Sequence, residues 1–579
     1  LEWDLQAIFA SDETALQHAN NCVETLAEYI DILEQTNDFD TIVSLISKIE
    51  DVLDEFGKAG HYAWMRYSIN TDNQDSQKLL GYIQNLESKV SEYFARLEVY
   101  ISQFDNSIID ILKEKSPNYT HFFEMIKLRK KHILSKDAER ILALTSVSRR
   151  GAISKIHSRL ESSYRFTVEI DGQVKTLTTE EIKALRRSSN GELRKKAMNI
   201  FLERFREDSL VLTEIYNLIV KDYDTEAKIR NFKSPISMMN LENEVEDDVV
   251  EKLIETTNRN INILQEYYSW KSKTMGERLT LADIYAPINQ NESKFTFNQA
   301  KEIVIDAYYS FNKQVGDIVK SFFDESRIDA FPRRGKVGGA YCIYATTKLP
   351  PYVLTNFNGD MYDVMTLAHE LGHGLHGTLS KKQTYFNYDT PLTLAELASV
   401  FGEFLVFDYL KGKLDRDEKL SLMTSKVEDT FATTFRQNMF TNFEIRAHNL
   451  ISSSGYADWD ELNEIYYQEL KKTFGDVVEI PEWYKSEWAI VSHIFETPFY
   501  VYAYNFAHCL VISLYEKYLE DGKVFVSKYL NLLESGGSLS PHELLLKVGV
   551  DISEAGFWDN AFKFMKVLVN DIKELRNMS

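Results

Sequence analysis

Cysteine, glycine and proline are all scarce in this chain. Its three cysteines, Cys22, Cys342 and Cys509, are scattered and odd in number. That argues against a disulfide framework and fits a reducing cytoplasm. Gly 24 and Pro 10 are few for 579 residues, which favours long helices over sheets. No run approaches the roughly 18 apolar residues of a membrane-crossing helix. The opening Leu1-Glu2-Trp3-Asp4 carries no basic-then-apolar leader. Positive charge is also short: 66 Lys and Arg against 88 Asp and Glu leave a net charge of −22. A nucleic-acid partner is therefore not expected, and neither is a membrane. The basic clusters Lys127-Leu128-Arg129-Lys130-Lys131 and Arg194-Lys195-Lys196 are diluted by nearby acids and read as solvated helix faces. Oligomeric state stays open.

What is present is apolar and aromatic. Hydrophobic residues at 44% and aromatics at 13% exclude general disorder, and the length allows two or more lobes. Helical patterns fill the first 160 or so residues, with Leu79 to Phe104 a long amphipathic stretch. Phe166 to Ile170, Asp171-Gly172 and Val174 to Leu177 predict a two-residue hairpin, after which Thr178-x-x-Glu181 restarts a helix with a capping box. A boundary is placed near Ser188-Ser189-Asn190-Gly191, separating an N-terminal helical lobe, 1–190, from a catalytic domain, 191–579. No period of 20–50 residues repeats, which disfavours a solenoid.

The chemistry concentrates at His369-Glu370-Leu371-Gly372-His373. Histidines four apart lie about 40° apart around a helix, so both imidazoles can reach one metal ion. Glu370 is left to act as base on a water at that metal, the apparatus of a zinc peptidase. Val364, Leu367, Ala368, Leu371 and Leu375 cluster on one side of this helix, opposite His369, His373 and His376. Gly372 and Gly374 lower helix propensity by about 1 kcal/mol each. Their presence points to a close approach by another backbone or by ligand.

A catalytic zinc takes three protein ligands and keeps a position open. Downstream, Pro391 suits the first turn of a helix continued by Leu394, Leu397, Val400, Phe401 and Phe404. Glu396, Ser399 and Glu403 share its other face. Glu396 is the candidate third ligand and Glu403 the reserve. Thr393-x-x-Glu396 also fits a capping box, the rival reading of Glu396.

Gly335, Gly338 and Gly339 precede Ala340 to Ala345, a predicted strand; Tyr352 to Phe357 is a second, and Asn358-Gly359 turns into the metal helix. An edge strand there could bind an extended peptide through its backbone. A plain hairpin is the simpler alternative. Further on, Glu496-Thr497-Pro498 is expected to open a helix with Tyr500, Tyr504 and His508 on one face and His493 just before it. Phenol and imidazole donors can stabilise an oxyanion. With 32 tyrosines in the chain, such a stripe is by default ordinary core.

These motifs together resemble the thimet oligopeptidase family, most closely its bacterial oligoendopeptidase F branch. H-E-L-G-H-x-x-H followed by A-E-L-A-S looks like its zinc site, R-G-K-V-G-G-A-Y-C like its glycine-rich segment, and H-x-x-x-x-P-F-Y-V-Y-x-Y like its histidine–tyrosine element. The opening W-D-L matches as well. The resemblance implies a mainly α fold of two helical lobes enclosing a deep substrate channel, with a small β-sheet beside the zinc helix. It implies one zinc per chain on His369, His373 and Glu396, with Glu370 as general base. It further implies His493 and Tyr500 as oxyanion donors, and Gly338, Gly339, Ala340, Tyr341 and Tyr504 against substrate. The expected activity is endopeptidase cleavage of short unstructured oligopeptides. Two rivals stand beside it. A zinc carboxypeptidase or dipeptidyl carboxypeptidase would hold the terminal carboxylate with Arg333, Arg334 or Lys336. A non-catalytic peptide binder would close its metal site with His376 or Glu403.

Overall fold

The computed structural model describes residues 2–146, 148–289 and 294–577, and they are mainly helical. Contacts group the chain into two compact units. The first comprises Leu1–Lys136, Ser293–Lys413 and Leu514–Asp551; the second comprises Asp137–Glu292, Leu414–Ser513 and Ile552–Ser579.

In the first unit, the leading helical patterns become the long helices Asp12–Leu33, Phe39–Ile69 and Gln74–Ser102. Each begins where a short polar side chain answers N–H groups that have no intrahelical partner. Thr14 N–H donates to Ser11 Oγ at 3.2 Å, Thr41 N–H to Asp38 Oδ2 at 2.9 Å and Ser76 N–H to Asn73 Oδ1 at 2.9 Å. The Asn73 cap starts the third helix at Gln74, ahead of the amphipathic stretch read from Leu79. Leu26, Ile30, Ile46, Ile49, Leu97 and Ile101 close one core between these helices.

The same unit holds a three-stranded sheet of β3 (Ile328–Asp329), β4 (Tyr341–Ile343) and β5 (Tyr352–Leu354). Its order is β3-β5-β4, with β3 parallel to β5 and β4 antiparallel, Cys342 facing Val353. Strands β4 and β5 fall within the predicted segments; two-residue β3 is too short to show a period. Trp3 Nε1 donates to the carbonyls of Val353 at 3.1 Å and Arg327 at 3.2 Å, so the opening W-D-L is tied to the sheet.

In the second unit, β1 (Phe166–Ile170) pairs with β2 (Gln173–Leu177) in the register Phe166↔Leu177 to Ile170↔Gln173. Asp171 and Gly172 both take positive φ, 52° and 74°, as a two-residue hairpin requires. Thr178 and Glu181 form the predicted capping box, and Asn190 caps the helix Gly191–Glu207. Arg194 corrects the reading of its cluster as a solvated face. It is buried, donating to Asp283 Oδ1 at 2.9 and 3.2 Å and to Ser188 O at 2.7 Å. A buried carboxylate from a distant segment accounts for it, and local charge pattern carries no trace of such a partner. Among the described residues no helix is long and apolar enough to cross a membrane.

Candidate active site

The helix Met361–Ser380 starts from the Asn358-Gly359 turn, where Gly359 has φ +92°. Asp360 caps it, accepting the Asp363 N–H at 2.8 Å. Val364, Leu367, Ala368, Leu371 and Leu375 are buried, as the pattern predicted. The close approach expected at Gly372 is made by backbone of the helix Leu397–Lys411. A Cβ there would stand 2.3 Å from Ala398 O and 2.6 Å from Ser399 Cα. At Gly374 it would meet the Phe322 ring at 2.4 Å. Two helices therefore lie in backbone contact, which carries Glu396 toward the histidines.

Glu396 occupies a break. The turn Leu392–Ala395 ends at it and the helix Leu397–Lys411 begins after it, with Pro391 preceding rather than opening the helical turn. Thr393 lies inside that turn and not at its cap, so the capping-box geometry does not form. The Glu396 carboxylate instead lies 3.4 Å from His369 Nε2 and 3.4 Å from His373 Nε2, and accepts the Ser399 hydroxyl. Four ligands at about 2.0–2.1 Å from a tetrahedral ion stand about 3.3–3.4 Å apart. Among the described residues these three form the one group of His, Cys, Asp and Glu able to hold a metal ion. Charge agrees, because Glu370, Glu396 and Glu403 put three buried or half-buried carboxyls around two imidazoles. The residues fit a single divalent cation.

Glu403, in reserve as a ligand, takes another position: its Oε1 lies 2.7 Å from His369 Nδ1, on the far side of the ring from Glu396. His376 is buried outside the group, and loss of solvent lowers it to about 4, a neutral imidazole. Burial lowers His373 to about 4 as well. It lowers His369 too, but Glu396 and Glu403 more than reverse this and hold His369 at about 10. Glu370, beside them, is pushed up to about 7 by burial, against His369, with Glu396 and Glu403 adding to the rise. The Cys342 backbone in β4 offsets a small part of that rise. Nothing in the sequence pattern signals this link from sheet to helix.

Strand β4 lies at an edge of its sheet. Gly338 and Gly339 border open space, Gly339 at φ +74°, and Asn356 Nδ2 pins their loop by donating to Val337 O at 2.9 Å and Gly339 O at 2.7 Å. Ala340 is half-buried, and the Tyr341 ring packs on Trp3 and Trp64. What β4 leaves available is therefore backbone. Of the cations considered for a terminal carboxylate, Arg333 is engaged by Asp329 at 2.6 and 2.8 Å. Lys336 is buried on the same carboxylate at 2.7 Å and on the Thr355 carbonyl at 2.6 Å. Arg334 is exposed and lies 3.7 Å from Asp72.

His493, Tyr500 and Tyr504 cluster within the second unit. His493 and Tyr500 stack at 5.5 Å and 11°, Tyr504 stands edge-on to both rings, and its hydroxyl is 3.2 Å from His493 Nε2. Burial lowers the His493 pKa. The helix expected to open at Glu496-Thr497-Pro498 instead begins at Tyr502. Pro498 and Tyr500 belong to a turn, because Phe499 has φ +63° and cannot continue a helix. His508 is buried in that helix, its Nε2 3.3 Å from Thr430 Oγ1.

Comparison with known proteins gives the family. Peptidase family M3 matches residues 184–564 and Oligopeptidase F matches residues 105–166. The chain belongs to peptidase family M3, and within it resembles oligoendopeptidase F. It is 28% identical to an oligoendopeptidase F homolog of Borreliella burgdorferi, over 99% of this chain and 98% of that one. It is 26% identical to oligopeptidase PepF of Bacillus subtilis, over 99% of this chain and 87% of that one. In fold it resembles oligoendopeptidase-F from Enterococcus faecium, with a TM-score of 0.74 and 22% identity over 98% of this chain and 100% of the other. A crystallised Chlamydophila abortus chain gives a TM-score of 0.86 and 24% identity, covering 99% and 98%.

Proposed function

We propose that this M3 peptidase is a zinc-dependent endopeptidase acting on short unstructured oligopeptides. The observation that carries the reading is the convergence of His369, His373 and Glu396, with two 3.4 Å nitrogen–oxygen separations, beside the buried carboxyl of Glu370. Residues 191–579 hold every proposed site residue and form the catalytic part. One zinc ion held by those three side chains supplies a Lewis acid and lowers the pKa of the attacking water.

The chain's own groups do the rest. Glu403 accepts from His369 Nδ1, which leaves the Nε2 lone pair free for the ion and fixes the ring. Glu370 takes the proton of the attacking water on its carboxylate and later gives it to the leaving amine. His493 and Tyr500 donate to the oxyanion, and Tyr504 orients His493 through Nε2 while touching substrate. The backbone of Gly338, Gly339, Ala340 and Tyr341 receives an extended peptide without reading its side chains. No serine or cysteine nucleophile enters. The three free thiols suit a reducing cytoplasm.

Mass spectrometry of products from a mixed peptide pool, with and without chelator, tests the reading. Internal cleavages that vanish on chelation and return with zinc are expected. Cleavage that survives complete removal of metal would overturn it.

A further inference from the structure

Thr497-Pro498-Phe499-Tyr500 is a tight turn closed by the Tyr500 N–H on Thr497 O at 3.1 Å. Proline stands at its second position and its third residue has φ +63°. That is the pattern of a type II turn, whose third position favours glycine because a Cβ is disfavoured at positive φ. Phenylalanine there is strained, and such strain persists only where surrounding groups impose it.

Those groups lie on two helices of the same unit. Glu444, from the helix Gln437–Ser454, accepts the Phe499 N–H at 2.8 Å. One helical turn on, His448 packs its ring 4.4 Å from that of Phe499, and its Nδ1 lies 2.6 Å from Asp224 Oδ1. Tyr223 covers the ring from the helix Ser209–Ile229, at 5.8 Å. Glu444 is 0% exposed, and its Oε2 has no hydrogen-bond partner among the described residues. Burial pushes its pKa up to about 8, and its other oxygen is committed to one backbone N–H.

The position of that N–H gives it a consequence. Phe499 directly precedes Tyr500, and the turn's first residue donates its N–H to His493 O at 2.8 Å. One turn thus sets both rings of the 5.5 Å His493–Tyr500 stack. We propose that Glu444 is a positioning residue for the peptidase reaction, holding Phe499 at positive φ so that the Tyr500 hydroxyl and the His493 imidazole keep a common orientation. This rests on the reading of Tyr500 as an oxyanion donor.

The test uses the full-length, metal-loaded enzyme. Glu444→Gln keeps an acceptor oxygen and is expected to retain kcat within about twofold, since misplacement and not chemistry is at stake. Glu444→Met matches the bulk but cannot accept the N–H. It should lower kcat roughly 10- to 100-fold with KM nearly unchanged, while melting cooperatively and binding metal in full. Combined with Tyr500→Phe it should lower kcat no further than the more damaging single change. Should Glu444→Met fail to fold, Glu444→Asp, which withdraws the acid by one carbon, is read in its place. Wild-type kcat in the Met variant, or losses that multiply with those of Tyr500→Phe, overturns the positioning role while Tyr500 stands. Wild-type kcat in Tyr500→Phe alone removes the oxyanion reading, and the positioning role falls with it.

Discussion

Glu403 Oε1 and His369 Nδ1 lie 2.7 Å apart, on the side of the imidazole opposite the nitrogen that faces Glu396. A carboxylate at Nδ1 keeps the proton there and directs the other nitrogen's lone pair outward. Glu403→Leu should therefore weaken metal binding about 10- to 100-fold without removing any of the three proposed ligands. Competition against a chromophoric chelator measures it; unchanged affinity would show that His369 is oriented by packing alone.

Glu370→Gln keeps the size of the side chain and loses the proposed base. Bound metal should stay at the wild-type level while kcat falls by about 10²–10⁴-fold. Elemental analysis and steady-state kinetics on one preparation decide the matter. Full activity in the Gln variant would remove Glu370 from the mechanism.

Gly372 and Gly81 should respond oppositely to alanine. At Gly372 the added carbon stands 2.3 Å from a backbone oxygen that cannot swing away, whereas at Gly81 it meets nothing within 4 Å among the described residues. Gly372→Ala is expected to destabilise by about 1–3 kcal/mol and to loosen metal binding, since the pressed helix carries Glu396 at its start. Gly81→Ala should stabilise by up to about 1 kcal/mol. Thermal melts of both variants check the contrast.

Stability should depend on pH through Glu444. Its folded pKa, about 8, lies above the ordinary 4.5, so the native state holds a proton that the unfolded chain releases. Between those values the wild type loses stability as pH rises, and below them the two states bind that proton equally. Glu444→Gln removes the difference. Its advantage over wild type should grow by roughly 3 kcal/mol from pH 5 to pH 8. A melting-temperature gap that is flat over that range would place an ionised carboxylate at this position.

Amidating the C-terminus of a peptide should leave its cleavage sites and kcat/KM essentially unchanged. Arg333 and Lys336 are both taken up by Asp329, so neither is available to a terminal carboxylate. Loss of cleavage on amidation would favour a carboxypeptidase, with Arg334 the remaining cation.

Much of this was legible in the sequence because it is local. Periodicity alone puts His369 and His373 on one helix face, and Asp171-Gly172 alone sets the hairpin. Glu396 was harder: Thr393 three residues before it offered a rival local explanation, a capping box, which does not form because the helical turn starts at Leu392. What escaped is held by distant partners. Arg194 is buried because Asp283 lies opposite, and β3 exists because β5 pairs with it. Thr497-Pro498 has the spelling of a helix start, yet Glu444 and His448 hold Phe499 out of helical space and delay the helix to Tyr502.

The most direct test of the metal centre is a zinc titration of the apoprotein, read by chelator competition, for wild type and Glu396→Ala. One ion per chain is expected in the wild type, with an affinity lowered by orders of magnitude in the variant. Equal affinity in the two proteins would contradict the proposed centre.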